Sequence, residues 1–270
     1  MTSSWIDSLL SARVYDLEQP RFAGMPIHES HRPGYFYALH RRHRDTYKPR
    51  NNGPRSSASG VLNMMEHSGT HLDALCHQAN ELRMFGDLSV EVEETPAGFK
   101  HLGVETVPPL LCRGVLLDVC GHKGQSVLPA RYGITADDLA SCAAAQGVEV
   151  RANEVLLVRT GYGALWCGEE RVYLDAAGIS KSGTLWAADK GVVAVGADNM
   201  GWDVPDERDP ETGATHFAHL YLLPQKGIYI IENVNLEELA RDRRWQFAFI
   251  GVPLKFQGAT GSPLRPLALV

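Results

Sequence analysis

The chain of 270 residues is most informative first in what it lacks. Its five cysteines, Cys76, Cys112, Cys120, Cys142 and Cys167, are odd in number, scattered, and form no Cys-x-x-Cys pair. That pattern fits reduced thiols in a cytoplasm better than a disulfide framework. No run approaches 18 consecutive apolar residues, so no bilayer-spanning helix is expected. The opening Met1–Asp7 has no basic stretch leading into an apolar run and does not read as a signal peptide. Basic charge is not in excess: 32 Asp and Glu face 26 Lys and Arg, a net charge of −6. This argues against nucleic acid or an anionic membrane as the main partner. There is no fixed-period repeat. Gly161-Tyr-Gly163 follows a candidate strand, but Trp166 stands where a dinucleotide loop has its third glycine. No Gly-x-x-x-x-Gly-Lys-Ser/Thr occurs either, so a nucleotide-loop enzyme is not expected.

What is present has an ordinary globular balance, 44 % hydrophobic and 21 % charged. Short β-branched runs recur at Val115–Val119, Val155–Val158, Val192–Val195, Ile228–Ile231 and Phe247–Val252. Almost continuous apolarity over so few residues predicts strands covered on both faces. Thr135-Ala-Asp-Asp138 predicts a capped helix running through Gln146 to a closing Gly147. Ser182–Lys190 and His216–Leu223, the latter halted by Pro224, predict two more. The expectation is one cytoplasmic α/β domain. Residues 20–60 stand apart, with four histidines (His28, His31, His40, His43) and arginines at 41, 42, 44 and 50, and no regular period. They read as an irregular surface excursion, before a core over 61–270.

The densest chemistry lies in His67-Ser-Gly-Thr-His71-Leu-Asp73-Ala-Leu-Cys-His77. On one helix these four side chains fall near about 0°, 40°, 240° and 280°, so they cannot share a point. On one strand the outer two would sit about 33 Å apart. A strand that bends at Gly69 and enters a helix near Asp73 resolves this, with Ala74–Met84 helical and Asp73 and His77 at i, i+4. Two imidazoles and a carboxylate then form an N,N,O set with open coordination positions. Such a set suits Zn²⁺ or Mn²⁺. The competing reading is separate, hydrogen-bonded histidines. A Cys76–His77 nucleophile is weak, because neighbours on a helix point about 100° apart. Phe22, Tyr35, Phe36, Trp202 and Tyr221 are candidates to line a flat-substrate pocket.

His67-Ser-Gly-Thr-His71-Leu-Asp73 with His77 resembles the His-x-Gly-Thr-His-x-Asp-x-Pro-x-His signature of the metal-dependent cyclase-like hydrolases. That family includes kynurenine formamidases, isatin hydrolases and trans-dienelactone hydrolases. Val155–Gly161, Val195–Asp198, His219–Leu223, Ile230–Asn233 and Gly261–Pro266 resemble further parts of its pattern. Leu75 departs from it, standing in place of the proline. The resemblance implies a swivelling β/β/α fold with a mixed, largely buried sheet. It implies that His67, His71 and Asp73 bind metal and that His77 assists proton transfer. It implies further that His219 and Glu232 complete the site, either as ligands of a second metal or as the residues that handle the water and leaving group; His219 is taken as a ligand and Glu232 as the proton carrier. His216 would share a helix face with His219, but the resemblance selects His219. One or two ions, Zn²⁺ or Mn²⁺, are expected. The expected reaction opens a small cyclic or aryl amide (N-formylkynurenine or isatin, for example) or a lactone to a carboxylate. The alternative is a non-catalytic, metal-dependent small-molecule binder. Because 20–60 and Gly261–Val270 could reach a neighbour, a homodimer or homotetramer is expected.

Overall fold

A computed structural model describes residues 5–270. The start read above for a signal peptide lies partly outside the described residues, at Met1–Ser4. Nine strands form one mixed sheet. In chain order they are β1 (Val14–Asp16), β4 (His71–Asp73), β5 (Leu110–Asp118), β6 (Val155–Arg159), β7 (Ala194–Ala197), β8 (Tyr229–Glu232), β9 (Gln246–Gly251), β10 (Gly261–Pro263) and β11 (Leu267–Leu269). A separate antiparallel ribbon is made by β2 (Tyr35–Arg41) and β3 (Ser59–Met64). The sheet runs β1-β11-β9-β5-β6-β7-β8-β4-β10. Strands β5 to β8 are mutually parallel, and every other pairing is antiparallel. All five apolar runs expected to be strands lie in or overlap this sheet.

The sheet must curl. β10 forms one edge and β11 lies beside the other edge strand, yet only residues 264–266 separate them. Three linking residues span at most about 15 Å, so the two edges approach each other. The Leu17 amide donates to Pro266 O at 3.0 Å and the Leu264 amide to Thr70 O at 3.0 Å, tying the two ends together. Side chains alternate across the strands accordingly. Tyr15, Leu72, Leu116, Leu157, Ile231, Phe249 and Ala268 fill one core. Val115, Leu117, Leu156, Val158, Val195 and Ile230 face the other, against helices α1 (Ala136–Gln146) and α2 (Lys181–Asp189). Among the described residues no helix is long and apolar enough to cross a membrane.

Helix α1 starts as its sequence dictates. Thr135 and Asp138 form a reciprocal capping box, and Gly147 ends it at φ 66°. The third expected helix is shorter, α3 (Phe217–Tyr221), and Pro224 lies within a wide π turn at 222–226 rather than halting the helix. His216 precedes α3 at φ 57°, so it does not share a helical face with His219.

Two further expectations fail. No helix forms over 74–84. β4 is bonded on both edges, to β8 and β10, and the Ala74 amide extends the second ladder by donating to Thr260 O at 2.8 Å. Sheet pairing overrides the local helical preference, and the chain turns sharply with the His77 amide on Ala74 O. Residues 20–60 are not irregular throughout, since they hold β2 and the start of β3. The ribbon's apolar residues do not alternate, which hid the strand period. Residues 14–17 also belong to the main sheet, so the core begins well before residue 61.

We expect Thr135→Ala to remove the α1 cap at a cost of about 1 kcal/mol. Urea unfolding should show a lowered midpoint with an unchanged m-value.

Candidate active site

β4 carries the site. Its side chains alternate, so Leu72 enters the inner core while His71 and Asp73 share the other face. Register places Glu232 of β8 directly opposite His71, on that same face. Ahead of β4, Gly69 turns at φ 63°, where any Cβ would collide with the Arg21 guanidinium. Arg21 holds the turn by donating to the carbonyls of Ser68 and Thr70, and Asn233 Nδ2 donates to Gly69 O at 3.0 Å.

Asp73 is the centre. Its side chain is fully buried, and His67 Nδ1 lies 2.8 Å from Oδ1. His71 Nε2 lies 3.4 Å from Oδ1 and His219 Nε2 3.5 Å from Oδ2. Glu232 adds its carboxylate, 3.2 Å from His219 Nε2 and 3.5 Å from His71 Nε2. His77 arrives by the tight turn after β4 and stacks on His67 with ring centroids 4.0 Å apart. The structure therefore brings together all six predicted residues: His67, His71, Asp73, His77, His219 and Glu232. The helix proposed to place His77 is absent, but the side chain reaches the site.

Each of the three histidines around Asp73 has its outer nitrogen engaged. His71 Nδ1–H donates to Gly69 O at 2.8 Å. His219 Nδ1 pairs with Asp203 Oδ2 at 2.8 Å. His67 Nε2 meets Thr260 Oγ1 at 2.7 Å, and Thr260 donates in turn to Glu66. With the outer nitrogen engaged, the other nitrogen of each ring is aimed at Asp73, where it can donate to the carboxylate when protonated and bind an ion once that proton leaves. That arrangement orients imidazoles for a metal. His71 Nε2 and Asp73 Oδ2 are buried without a hydrogen-bond partner, a costly state that a cation would relieve. Two donor sets, His67/His71/Asp73 and Asp73/His77/His219, each fit one ion within 4.8 Å and share Asp73.

The electrostatics follow from burial and charge. Burial opposes ionisation of Asp73, yet its histidine neighbours hold it well below the usual carboxylate range. His77 is the largest of these when charged, followed by the close imidazoles of His219, His67 and His71. Burial, however, drives His77 itself down to about 3, so the three nearer histidines carry the effect. Burial also works against a charge on His219, but its bonds to Asp203, Asp73 and Glu232 raise it well above the ordinary value. Glu232 is lowered: burial raises it, and the opposing pull of His71 and His219 wins.

A cavity of about 230 Å³ opens onto these groups, walled by His28, His31, Met200, Gly201 and His216 beside the site residues. None of the five aromatic candidates lines it. Trp202 is buried in the core with its indole on Thr184, and Phe36 lies on the ribbon. The Cys76 thiol is pushed up to about 12 by burial and packs in the inner core, which removes the Cys–His reading. Sequence reasoning missed Asp203, Thr260, Glu66 and His31. Glu66 abuts His67 and Thr260 abuts Gly261, so adjacency to the recognised motifs was a usable signal. Asp203 had none, because 16 residues separate it from His219.

The family model described as "Putative cyclase" matches residues 15–204. The chain belongs to this family. Solved structures agree on the fold. A protein described as a novel cyclase has 28 % identity and a TM-score of 0.85 over 97 % of this chain and 88 % of that one. Isatin hydrolase A from Ralstonia solanacearum has 20 % identity and a TM-score of 0.75, over 100 % and 97 %. A potential metal-dependent hydrolase with cyclase activity has 18 % and 0.62, over 96 % and 100 %. Among curated proteins, no match is found.

Two outcomes are expected. Asp203→Asn leaves a single oxygen for both the Ala218 amide and His219 Nδ1, now 2.7 and 2.8 Å from separate oxygens. Zn²⁺ affinity, read by chelator competition, should fall about 10- to 100-fold while the fold persists. The second concerns pH. His31 is lowered from 6.5 to about 4, chiefly by burial, so it stays neutral when folded and takes a proton on unfolding. Below pH 6.5 this costs stability progressively until about pH 4. In chelated protein, His31→Asn should flatten the decline in urea midpoint across that window.

Proposed function

We propose that this chain is a metal-dependent hydrolase that opens a small cyclic or aryl amide, or a lactone, to a carboxylate. The observation that carries this reading is the buried Asp73 carboxylate, ringed by imidazoles whose outer nitrogens are engaged, on the wall of a small cavity. His67, His71, Asp73 and His219 would hold the ion, and Zn²⁺ or Mn²⁺ suits these nitrogen and oxygen donors. The shared Asp73 would also admit a second ion. The shared fold with isatin hydrolases and with a potential metal-dependent hydrolase with cyclase activity supports the reaction class.

A bound divalent ion would supply Lewis acidity toward a carbonyl oxygen and make water a better nucleophile near neutral pH. The protein's own groups manage protons and geometry. Hydrolysis puts the water oxygen on the carbonyl carbon, breaks the C–N or C–O bond, and requires a proton at the leaving atom. His77 lines the cavity beside the donor set, which places it to take the water proton and pass it to the leaving atom. Glu232 is ionised and acts as a second proton acceptor, while its contact with His219 keeps that ring turned inward. Asp203 and Thr260 fix the imidazoles of His219 and His67, and Gly201 leaves space beside His219. His28, His31 and Met200 shape the cavity around a flat substrate.

Metal analysis of purified protein, with hydrolysis assays on isatin, N-formylkynurenine and dienelactones, tests the assignment. We expect bound Zn²⁺ or Mn²⁺, turnover of at least one substrate, and loss of turnover on chelation. Asp73→Ala should lose the metal while remaining folded. Metal retention with no turnover across the panel would favour the binding-protein reading instead. Turnover indifferent to chelators would overturn the metal assignment. His77→Ala should keep the metal and lower kcat by about 10²- to 10⁴-fold.

A further inference from the structure

The strand order changes direction at β5. From β5 to β8 the sheet grows one way, and the chain then crosses back to lay β9 on the far side of β5. Segments on either side of that point belong to opposite faces. Beyond Asp118, at the end of β5, the chain goes on to α1, which packs in the helix-covered core through Leu139 and Cys142. Ahead of β9 lies α4 (Glu237–Arg241), whose Leu239 sits in the inner core. Diverging segments leave a crevice beyond the carboxyl end of β5, the position at which doubly wound α/β sheets take ligands. Here it is a groove of about 530 Å³ that shares no residue with the cavity at Asp73.

Most polar groups lining this groove are already committed. The Asp118 charge is paired with Arg159 at 2.9 Å, and Asp118 also takes the Gly121 amide at 3.1 Å. The Gln146 carbonyl accepts from the Asp118 amide at 2.9 Å and from the Cys142 thiol at 2.8 Å. Arg241 is spent on Asp242 and Glu238. Arg243 and His122 are different. Among the described residues, neither makes an ion pair or hydrogen bond through its side chain. Arg243 is also held at φ 51°, in the left-handed region that glycine or asparagine usually fills. Backbone outliers of this kind gather at ligand sites. Beside Arg243 the half-buried Trp245 ring, with Ala145 and Ala240, supplies a small apolar floor.

We propose that this groove binds a small aromatic carboxylate, its ring on Trp245 and its carboxylate on the Arg243 guanidinium with His122 alongside. One free guanidinium forks onto one carboxylate. The carboxyl end of α1 opposes an anion with about half a negative charge, which the full charge of Arg243 outweighs. A nucleic acid would need a row of free cations, and the groove holds one. The apolar floor selects a flat ring over a bare inorganic anion. The proposed hydrolysis releases carboxylates of the same class, but binding here rests on the groove alone and not on that reaction.

Titration calorimetry with benzoate tests the site, on the wild type and on chelated protein so that a metal centre cannot supply the binding. One benzoate should bind per chain and should remain bound after chelation. Arg243→Ala should weaken it at least about tenfold, the loss of a charged hydrogen-bonded pair. Arg243→Lys should fall between, because a point charge replaces the fork. Benzamide should bind about tenfold more weakly and cyclohexanecarboxylate about threefold, since each lacks one of the two recognised features. Arg243 is exposed and its side chain has no partner, so Arg243→Ala folds whatever the groove does. No binding at millimolar benzoate, binding abolished by chelation, or binding unchanged in Arg243→Ala would each overturn the proposal. Equal affinity for benzamide or for inorganic phosphate would overturn it too.

Discussion

The structure depends on one crowded point: a fully buried carboxylate on a three-residue strand bonded along both edges. Asp73 could not remain ionised there alone, since isolated buried charge is prohibitively costly. Three imidazoles compensate it, and each needs its own anchor. His219 requires Asp203, His71 requires the Gly69 carbonyl, and His67 requires Thr260 and Glu66. The anchors come from distant segments, so the curled sheet, the Gly69 turn and the entry to α3 must all be in place for this one charge to be stabilised.

A second buried carboxylate shows the same economy without the same outcome. Asp198, at the end of β7, accepts from the amides of Thr160, Gly161 and Gly163 and from the Thr160 hydroxyl. The Gly161-Tyr-Gly163 loop therefore offers its donors to the protein itself, leaving none for a phosphate. Burial raises Asp198 and these bonds oppose it. Its oxygens are all occupied, whereas Asp73 keeps one orphaned. That single difference separates a structural carboxylate from one fit to meet a cation.

Much of this was legible in the chain. The parallel strands were readable because both faces of β5 to β8 are buried, which leaves continuous apolar runs at Val155–Val158 and Ile228–Ile231. The six site residues were readable because the motif places them within short, recognisable words. The path between the words was not. Spacing alone demanded a helix at 74–84, and only pairing with β8 and β10, far along the chain, shows why an extended strand and a sharp turn prevail. Asp203 was invisible for a related reason, as its partner is close in space and remote in sequence. The ribbon was missed because Tyr35-Phe-Tyr-Ala-Leu39 is apolar on consecutive positions, which resembles no half-buried strand.

The three-residue link between β10 and β11 bears on how the molecule can be made. Two consecutive words near the end of the chain serve opposite rims of one sheet, the first flanking Asp73 and the second pairing with residues 14–16. During synthesis β4 thus waits with an unpaired edge while nearly two hundred further residues emerge. The second edge beside Asp73 therefore cannot close until β10 has been made. The same adjacency brings residues 13 and 270 together, bonded backbone to backbone. Joining those ends and opening the chain elsewhere would change the order of assembly while keeping every contact around Asp73.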